Sequence, residues 1–172
     1  MPRTPNGTVD HTMDITIREA TRAGVLPVAE LFDLYRQFYG QEANPGLALN
    51  FITERSEKPE SVILVADAPD GGLAGFCQLY PTFCSVEAAP IYALYDLFVL
   101  PAARTHGAGK LLLQAAEAKA LATGRARLDL TTANSRGYRL PRKPPALRYQ
   151  PMLLCHPRRA HESAADGLPH AW

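Results

Sequence analysis

The chain has 172 residues, 47% of them apolar and 20% charged, with a formal net charge of +1. That length suits one domain, able to bury roughly 70% of its unfolded surface. The near-zero charge argues against a nucleic-acid protein held by bulk electrostatics, and Asp96 interrupts the longest apolar stretch well short of the ~18 residues of a membrane span.

Met1 to Thr12 is polar, with Pro2, Pro5 and Gly7 and no apolar signal-peptide core, so residues 1–12 read as a flexible N-terminus. Ile15 to Glu19 alternates as a short strand. From Val25 to Phe38 apolar residues recur at helical spacing, and Gly40 supplies a stop. A weaker helix is predicted from about Leu47 to Glu57, after Asn44-Pro45-Gly46. Val62 to Ala68 is β-rich, Pro69-Asp70-Gly71-Gly72 is a turn, and Leu73 to Tyr80 is its hairpin partner. Ile91 to Leu100 is nearly all apolar, as in a strand covered on both faces. A helix over Gly107 to Ala122 and a strand over Leu128 to Thr132 complete an α/β pattern with mixed strand directions. Three cysteines, Cys77, Cys84 and Cys155, form neither a disulfide framework nor a CxxC pair, which fits a reducing cytoplasm; Cys77 and Cys84 read as packing residues.

Composition changes after Ser135. Residues 1–135 hold 11 basic and 15 acidic side chains, a net of −4, whereas residues 136–172 hold 7 and 2, a net of +5. The latter also carry six prolines, at 141, 144, 145, 151, 157 and 169. These interrupt helices and forbid a central strand, so 136–172 is expected to be an irregular basic tail with no strand in the sheet.

The chemistry is concentrated between the apolar strand and the helix that follows it. Pro101 closes the strand, and the loop reads Arg104-Thr105-His106-Gly107-Ala108-Gly109-Lys110. Glycines allow backbone amides to approach a ligand, and a helix N-terminus supplies unpaired N–H donors with partial positive charge. Arg104 and Lys110 add full charges, so the loop suits a phosphate or pyrophosphate, the plainer alternative being a glycine-eased turn with solvated bases. A nucleotide P-loop fails at both ends, since Arg104 stands at the first glycine position and Leu111 follows Lys110. A dinucleotide fingerprint fails for want of its third glycine. His106 is explained by its loop, not by a metal.

The run Y-D-L-F-V-L-P-A-A-R-T-H-G-A-G-K-L-L-L, with R-x-x-G-x-G behind a strand ending V-x-P, resembles the acyl-CoA signature of the GNAT superfamily of N-acetyltransferases. I-T-I-R-E-A-T, L-F-D-L-Y-R-Q-F-Y-G, V-I-L-V-A-D and L-A-G-F-C-Q-L-Y resemble that family's first strand, first helix, and second and third strands. The resemblance covers about residues 14 to 134 and implies a mixed, largely antiparallel twisted sheet flanked by helices over 13–135. It further implies that acetyl-CoA, the donor, lies beside the strand Ile91 to Leu100. Backbone groups of Leu97, Phe98 and Val99 would then pair with pantetheine. Amides of Thr105, His106, Gly107, Ala108, Gly109 and Lys110, flanked by Arg104, would hold pyrophosphate, with Asn134 as a further CoA contact. No metal is implied, and members often form homodimers.

An amine acceptor must be neutral to attack, and at a pKa near 10.4 only about one part in a thousand is neutral at physiological pH, a cost of roughly 4 kcal/mol. The family commonly removes that proton with an acid on the strand beside the thioester. Here that strand offers Asp96, preceded by Tyr95 where relatives often have Glu; Asp96 is the candidate base, or an aspartate that only orders nearby backbone. Tyr35, Phe38 and Tyr39 resemble the acceptor-pocket wall, although aromatics at i, i+3 and i+4 also suit plain core. Glu42 could attract a cationic acceptor or stand solvated.

The resemblance stops at Asn134, where the family continues with a helix carrying a thiolate-protonating tyrosine and two further strands; Tyr138 and Tyr149 lie in no such helix. A frame change near codon 134 would account for the break. Codons permissible for residues 134–157, read one base later, give T-A-A-A-T-A-Y-R-E-S-R-L-R-Y-D-T-S-P-C-Y-Y-A-T, which resembles the missing segment. The alternative is a divergent natural C-terminus. The expected protein is therefore an N-acetyltransferase acting on a primary amine of a small molecule or peptide, its turnover impaired by the altered C-terminus. The alternative function is acetyl-CoA binding without turnover.

Overall fold

The computed structural model describes residues 14–132 and 147–151. Six strands, β1 (Thr16–Glu19), β2 (Val62–Asp67), β3 (Leu73–Cys84), β4 (Ala89–Val99), β5 (Leu128–Thr132) and β6 (Leu147–Pro151), form one sheet in chain order. Pairs from β1 to β4 are antiparallel, whereas β4–β5 and β5–β6 are parallel. A parallel neighbour needs a crossover, and α3 (Ala108–Ala122) supplies it between β4 and β5. Helices α1 (Val25–Phe38) and α2 (Pro45–Glu57) connect β1 to β2. The start of α2 follows from local chemistry: Pro45 needs no helical N–H, and the Asn44 side chain accepts from Leu47 N at 3.0 Å.

Apolar residues of alternate parity fill the two faces of the sheet. Leu64, Cys77, Leu79, Tyr92, Leu94 and Leu128 pack with Leu112, Leu113 and Ala116 of α3. Ile63, Val65, Phe76 and Phe98 pack with Val28, Leu31 and Phe32 of α1 and Ile52 of α2. The sheet thus stands between α3 on one side and α1 with α2 on the other.

One irregularity shapes everything downstream. In the β3–β4 register Gln78 faces Asp96 and Leu79 faces Leu94, so Tyr95 is an extra residue on β4. Such a bulge bends its strand and shifts the phase of the side chains that follow. Tyr92 and Leu94 belong to the α3 layer, yet beyond the bulge it is Leu97 and Val99 that pack there, while Phe98 turns to α1. Pairing of β4 with β5 covers only Tyr92–Leu94 and ends one residue before the bulge.

Two boundaries differ from expectation. The β3–β4 hairpin runs on to Cys84 and resumes at Ala89, because Pro81 and Pro90 fit into a pairing that continues past Tyr80. The irregular tail expected over 136–172 is corrected at Leu147–Pro151, which pairs parallel with β5 from Leu128↔Leu147 to Thr132↔Pro151. The stretch Ala146 to Gln150 is free of proline, and Pro151 is the last residue of the outermost described strand, a place where proline is tolerated. Residues 133–146 and 152–172, with Asn134, Tyr138 and Cys155 among them, and the N-terminal residues 1–13 lie outside the described residues.

Gly75 permits the close approach of β3 to β4. A Cβ there would meet the Phe98 carbonyl oxygen at 2.5 Å and Val99 Cα at 3.1 Å, both backbone atoms that cannot rotate away. Gly75→Ala is expected to destabilise the fold by about 1–3 kcal/mol, the usual range for overpacking. Urea unfolding checks this, with a lowered midpoint and an unchanged slope.

Candidate active site

Beyond Leu94 the two parallel strands part, and β4 continues along β3 alone through Val99. It then enters a 3-10 turn, Pro101–His106, which ends at Gly107 in the left-handed conformation with φ +82°. Helix α3 starts there. Leu111 N donates to Gly107 O at 3.0 Å as the first helical bond, so the amides of Ala108, Gly109 and Lys110 lie ahead of it, and no side chain caps this end. Ala108 fixes the end of the helix by burying its methyl group in the α3 layer, while Thr105, Gly107 and Lys110 are exposed. The His106 ring pairs with the neighbouring Thr105 hydroxyl at 3.3 Å.

Arg104 takes a different place from the one its charge suggests. Its Nε donates to Val99 O at 3.1 Å, and its guanidinium lies 5.5 Å from the Phe38 ring centroid at the end of α1. The side chain therefore lies back along β4, and one of the backbone groups expected to face pantetheine is already occupied.

The bulge places Asp96 on the α1 face. There Tyr35 Oη donates to Asp96 Oδ1 at 2.9 Å, and Tyr80 Oη donates to Oδ2 at 2.9 Å. Burial pushes the Asp96 carboxyl above its ordinary value, against the two hydroxyls that favour the ionised form. Burial and the Asp96 charge push both phenols well up. A half-buried carboxylate with raised proton affinity, gripped by two neutral donors, is suited to accept a proton.

A cleft of about 410 Å³ opens beside this carboxylate, lined by Tyr80, Pro81, Thr82, Ala93, Tyr95 and Asp96. The Tyr80 and Tyr95 rings stand edge to face at 5.8 Å and form its aromatic wall. Tyr35 holds the other carboxylate oxygen without lining the cleft, inside a cluster with Phe76 and Phe98. Tyr39 packs against Tyr35 at 5.0 Å but does not line the cleft, and Phe38 lies beneath Arg104. Glu42 is also outside the cleft, in an exposed loop whose carbonyl oxygen accepts from Arg36. That loop is anchored by buried Asp33, which accepts from Asn44 N, Arg36 and Gln37; the Asn44 amide is the main cause that holds its carboxyl below the usual range.

Tyr80 escaped the sequence reading. Its signal was the two-residue rhythm of Phe76, Gln78 and Tyr80, which puts the tyrosine on the Asp96 face once the register is known. Cys77 is buried, and burial pushes its thiol up to about 12, so it packs as a neutral side chain. Among the described residues no group of three or more His, Cys, Asp or Glu side chains is placed to hold a metal, and no helix is long and apolar enough to cross a membrane.

Comparison with known proteins gives a consistent result. The family model described as the acetyltransferase (GNAT) family matches residues 28–141. An uncharacterised N-acetyltransferase of Bacillus subtilis, YhfO, is 47% identical over 118 residues, which span 69% of this chain and 78% of that protein. The crystal structure of a probable acetyltransferase superposes with a TM-score of 0.65 at 36% identity, covering 70% of this chain and 80% of that one. An aminoglycoside N-acetyltransferase, AAC(6')-Iy, solved in complex with CoA, shares the fold at a TM-score of 0.61 and 20% identity, over 73% and 81% of the two chains.

Proposed function

The chain belongs to the GNAT acetyltransferase family, and on that premise we propose that it moves an acetyl group from acetyl-CoA to a primary amine of a small molecule or peptide. The observation that carries this reading is the bulge at Tyr95. It sets a carboxylate at the mouth of an opened sheet edge, on the same strand that leads into the glycine loop and the start of α3. The free amides of Ala108, Gly109 and Lys110 fit a pyrophosphate, as the CoA found in the AAC(6')-Iy structure would require of this fold. In this reading the pyrophosphate is held by those amides and Lys110, pantetheine by backbone groups of Leu97 to Val99, and a further CoA contact by Asn134. Binding would draw Arg104 off Val99 O. Acetyl-CoA supplies the activated thioester.

The protein's own share of the chemistry is proton removal. An ammonium entering the aromatic cleft meets the Asp96 carboxylate and the faces of Tyr80 and Tyr95, a combination that favours a cation. Asp96 takes its proton and leaves the nitrogen lone pair free to attack. Calorimetry with CoA, combined with thiol release in the presence of polyamine, amino-acid and peptide amines, tests the proposal. CoA affinity that falls with added salt, and release that saturates with one amine class, is the expected result. CoA binding without release for any amine would leave a binding protein and overturn the transferase reading.

A further inference from the structure

We propose that Tyr80 is a catalytic residue that passes the acceptor's proton to Asp96, an inference that rests on the reading of Asp96 as the base. The geometry separates the two phenols that grip the carboxylate. Tyr35 approaches Oδ1 from within the aromatic cluster of Phe32, Phe76 and Phe98 and is not part of the cleft wall. Tyr80 approaches Oδ2 at 2.9 Å and is itself part of the cleft wall. Both Tyr80 and Asp96 line the cleft, so an amine there can meet the Tyr80 oxygen that is already bonded to Oδ2. A phenol that donates its one proton still has lone pairs to accept with, so Tyr80 can receive an ammonium N–H while donating to Asp96.

The step balances as two linked transfers. The ammonium N–H bond breaks as an O–H bond forms on Tyr80, and the original Tyr80 O–H bond breaks as an O–H bond forms on Asp96 Oδ2. The amine becomes neutral with its electron pair on nitrogen, Asp96 becomes a neutral acid, and Tyr80 is unchanged. Reverse passage through Tyr80 returns the proton to solvent after the product leaves. The surroundings favour concerted transfer over a tyrosinate. Tyr35 and Tyr39 on α1, Cys77 on β3 and Tyr95 on β4 bring no positive charge to the pair, and among the described residues Arg55 of α2 is the one that acts on Tyr80 in the opposite sense.

The test compares Tyr80→Phe, Tyr35→Phe and Asp96→Asn by pH–rate profiles of kcat/KM and by calorimetric binding of the amine. Each lost hydroxyl removes a donor that favours ionised Asp96, so the acid limb should move to higher pH in both tyrosine variants. Tyr80→Phe should also lower the high-pH plateau by about 10²-fold, the low end for a lost proton-transfer group, and at least about tenfold more than Tyr35→Phe, which loosens the carboxylate without removing the path to it. It should also weaken amine binding about tenfold more than Tyr35→Phe, a readout that needs no turnover, while CoA affinity stays at the wild-type value. Equal plateaus and equal amine affinities in the two tyrosine variants would overturn the relay while leaving Asp96 as base. A plateau retained in Asp96→Asn would instead remove the base itself, and the relay with it.

Discussion

Gly107→Glu and Gly109→Glu are each expected to lower CoA affinity at least about a hundredfold, measured by calorimetry, without unfolding the domain. The charge would sit among the amides that open α3, where an anion is favoured so long as no second anion competes for them. A glutamate there satisfies the helix end and repels a pyrophosphate, so the fold keeps its stability while the ligand loses its seat. At Gly107 a further cost arises, because φ is +82° and a side chain is strained there by about 1 kcal/mol. A Cβ at Gly107 meets no protein atom within 4 Å, so the space it takes is open to a ligand. Gly107→Ala should therefore fall between wild type and Gly107→Glu. Wild-type affinity in both glutamate variants would remove the pyrophosphate reading.

Asp96→Asn should cost about 10²–10⁴ in kcat/KM, the range for a proton-transfer group. The pH dependence has a definite sign. Burial raises the Asp96 carboxyl above its ordinary 3.8, and the ionised form is the one that accepts a proton. Wild-type activity should therefore fall as pH drops through a value above 3.8, and this acid limb should vanish in the amide variant. The amine's own titration stays in both, since it depends on the acceptor. A thiol-release assay across pH reads the two limbs separately, and an acid limb that persists in Asp96→Asn would assign it to another group.

The strands and helices of the domain are legible because helical and two-residue periodicities are each clear within their segments: α1, β5 and the end of α3 lie where the apolar spacing places them. The glycine loop is legible by composition, since few chemistries ask for that many small residues between two bases. The bulge is not. A run such as Ile91 to Leu100 has no polar face, so a slipped phase leaves no mark on it. Asp96 could be singled out by its charge, but not the two phenols that hold it, which lie 61 and 16 residues away in sequence. Arg104 shows the complementary difficulty: its charge announces a role at the loop, whereas the Val99 carbonyl and the Phe38 ring that receive it come from the packing of β4 against α1. Leu147–Pro151 was hidden by the prolines around it, which describe where a strand must sit in a sheet more strictly than whether one forms.

The extra residue at Tyr95 makes the site sensitive to count as well as to identity. Exchanging Tyr95 for another side chain alters the wall of the cleft and leaves the carboxylate where it is. Losing Tyr95 itself would restore the unbroken alternation of β4 with the aspartate still on the α1 face, whereas regular alternation with Tyr95 kept in the ladder would turn Asp96 toward the layer beneath α3, where Leu94 and Leu112 offer it no partner. An unpaired carboxylate there would cost several kcal/mol or give up its charge. Pairing with β5 could then close past Leu94 like a fastener drawn shut, sealing the place where the donor is proposed to lie. A lineage without the extra residue would thus keep its aspartate in place and lose the opening beside it.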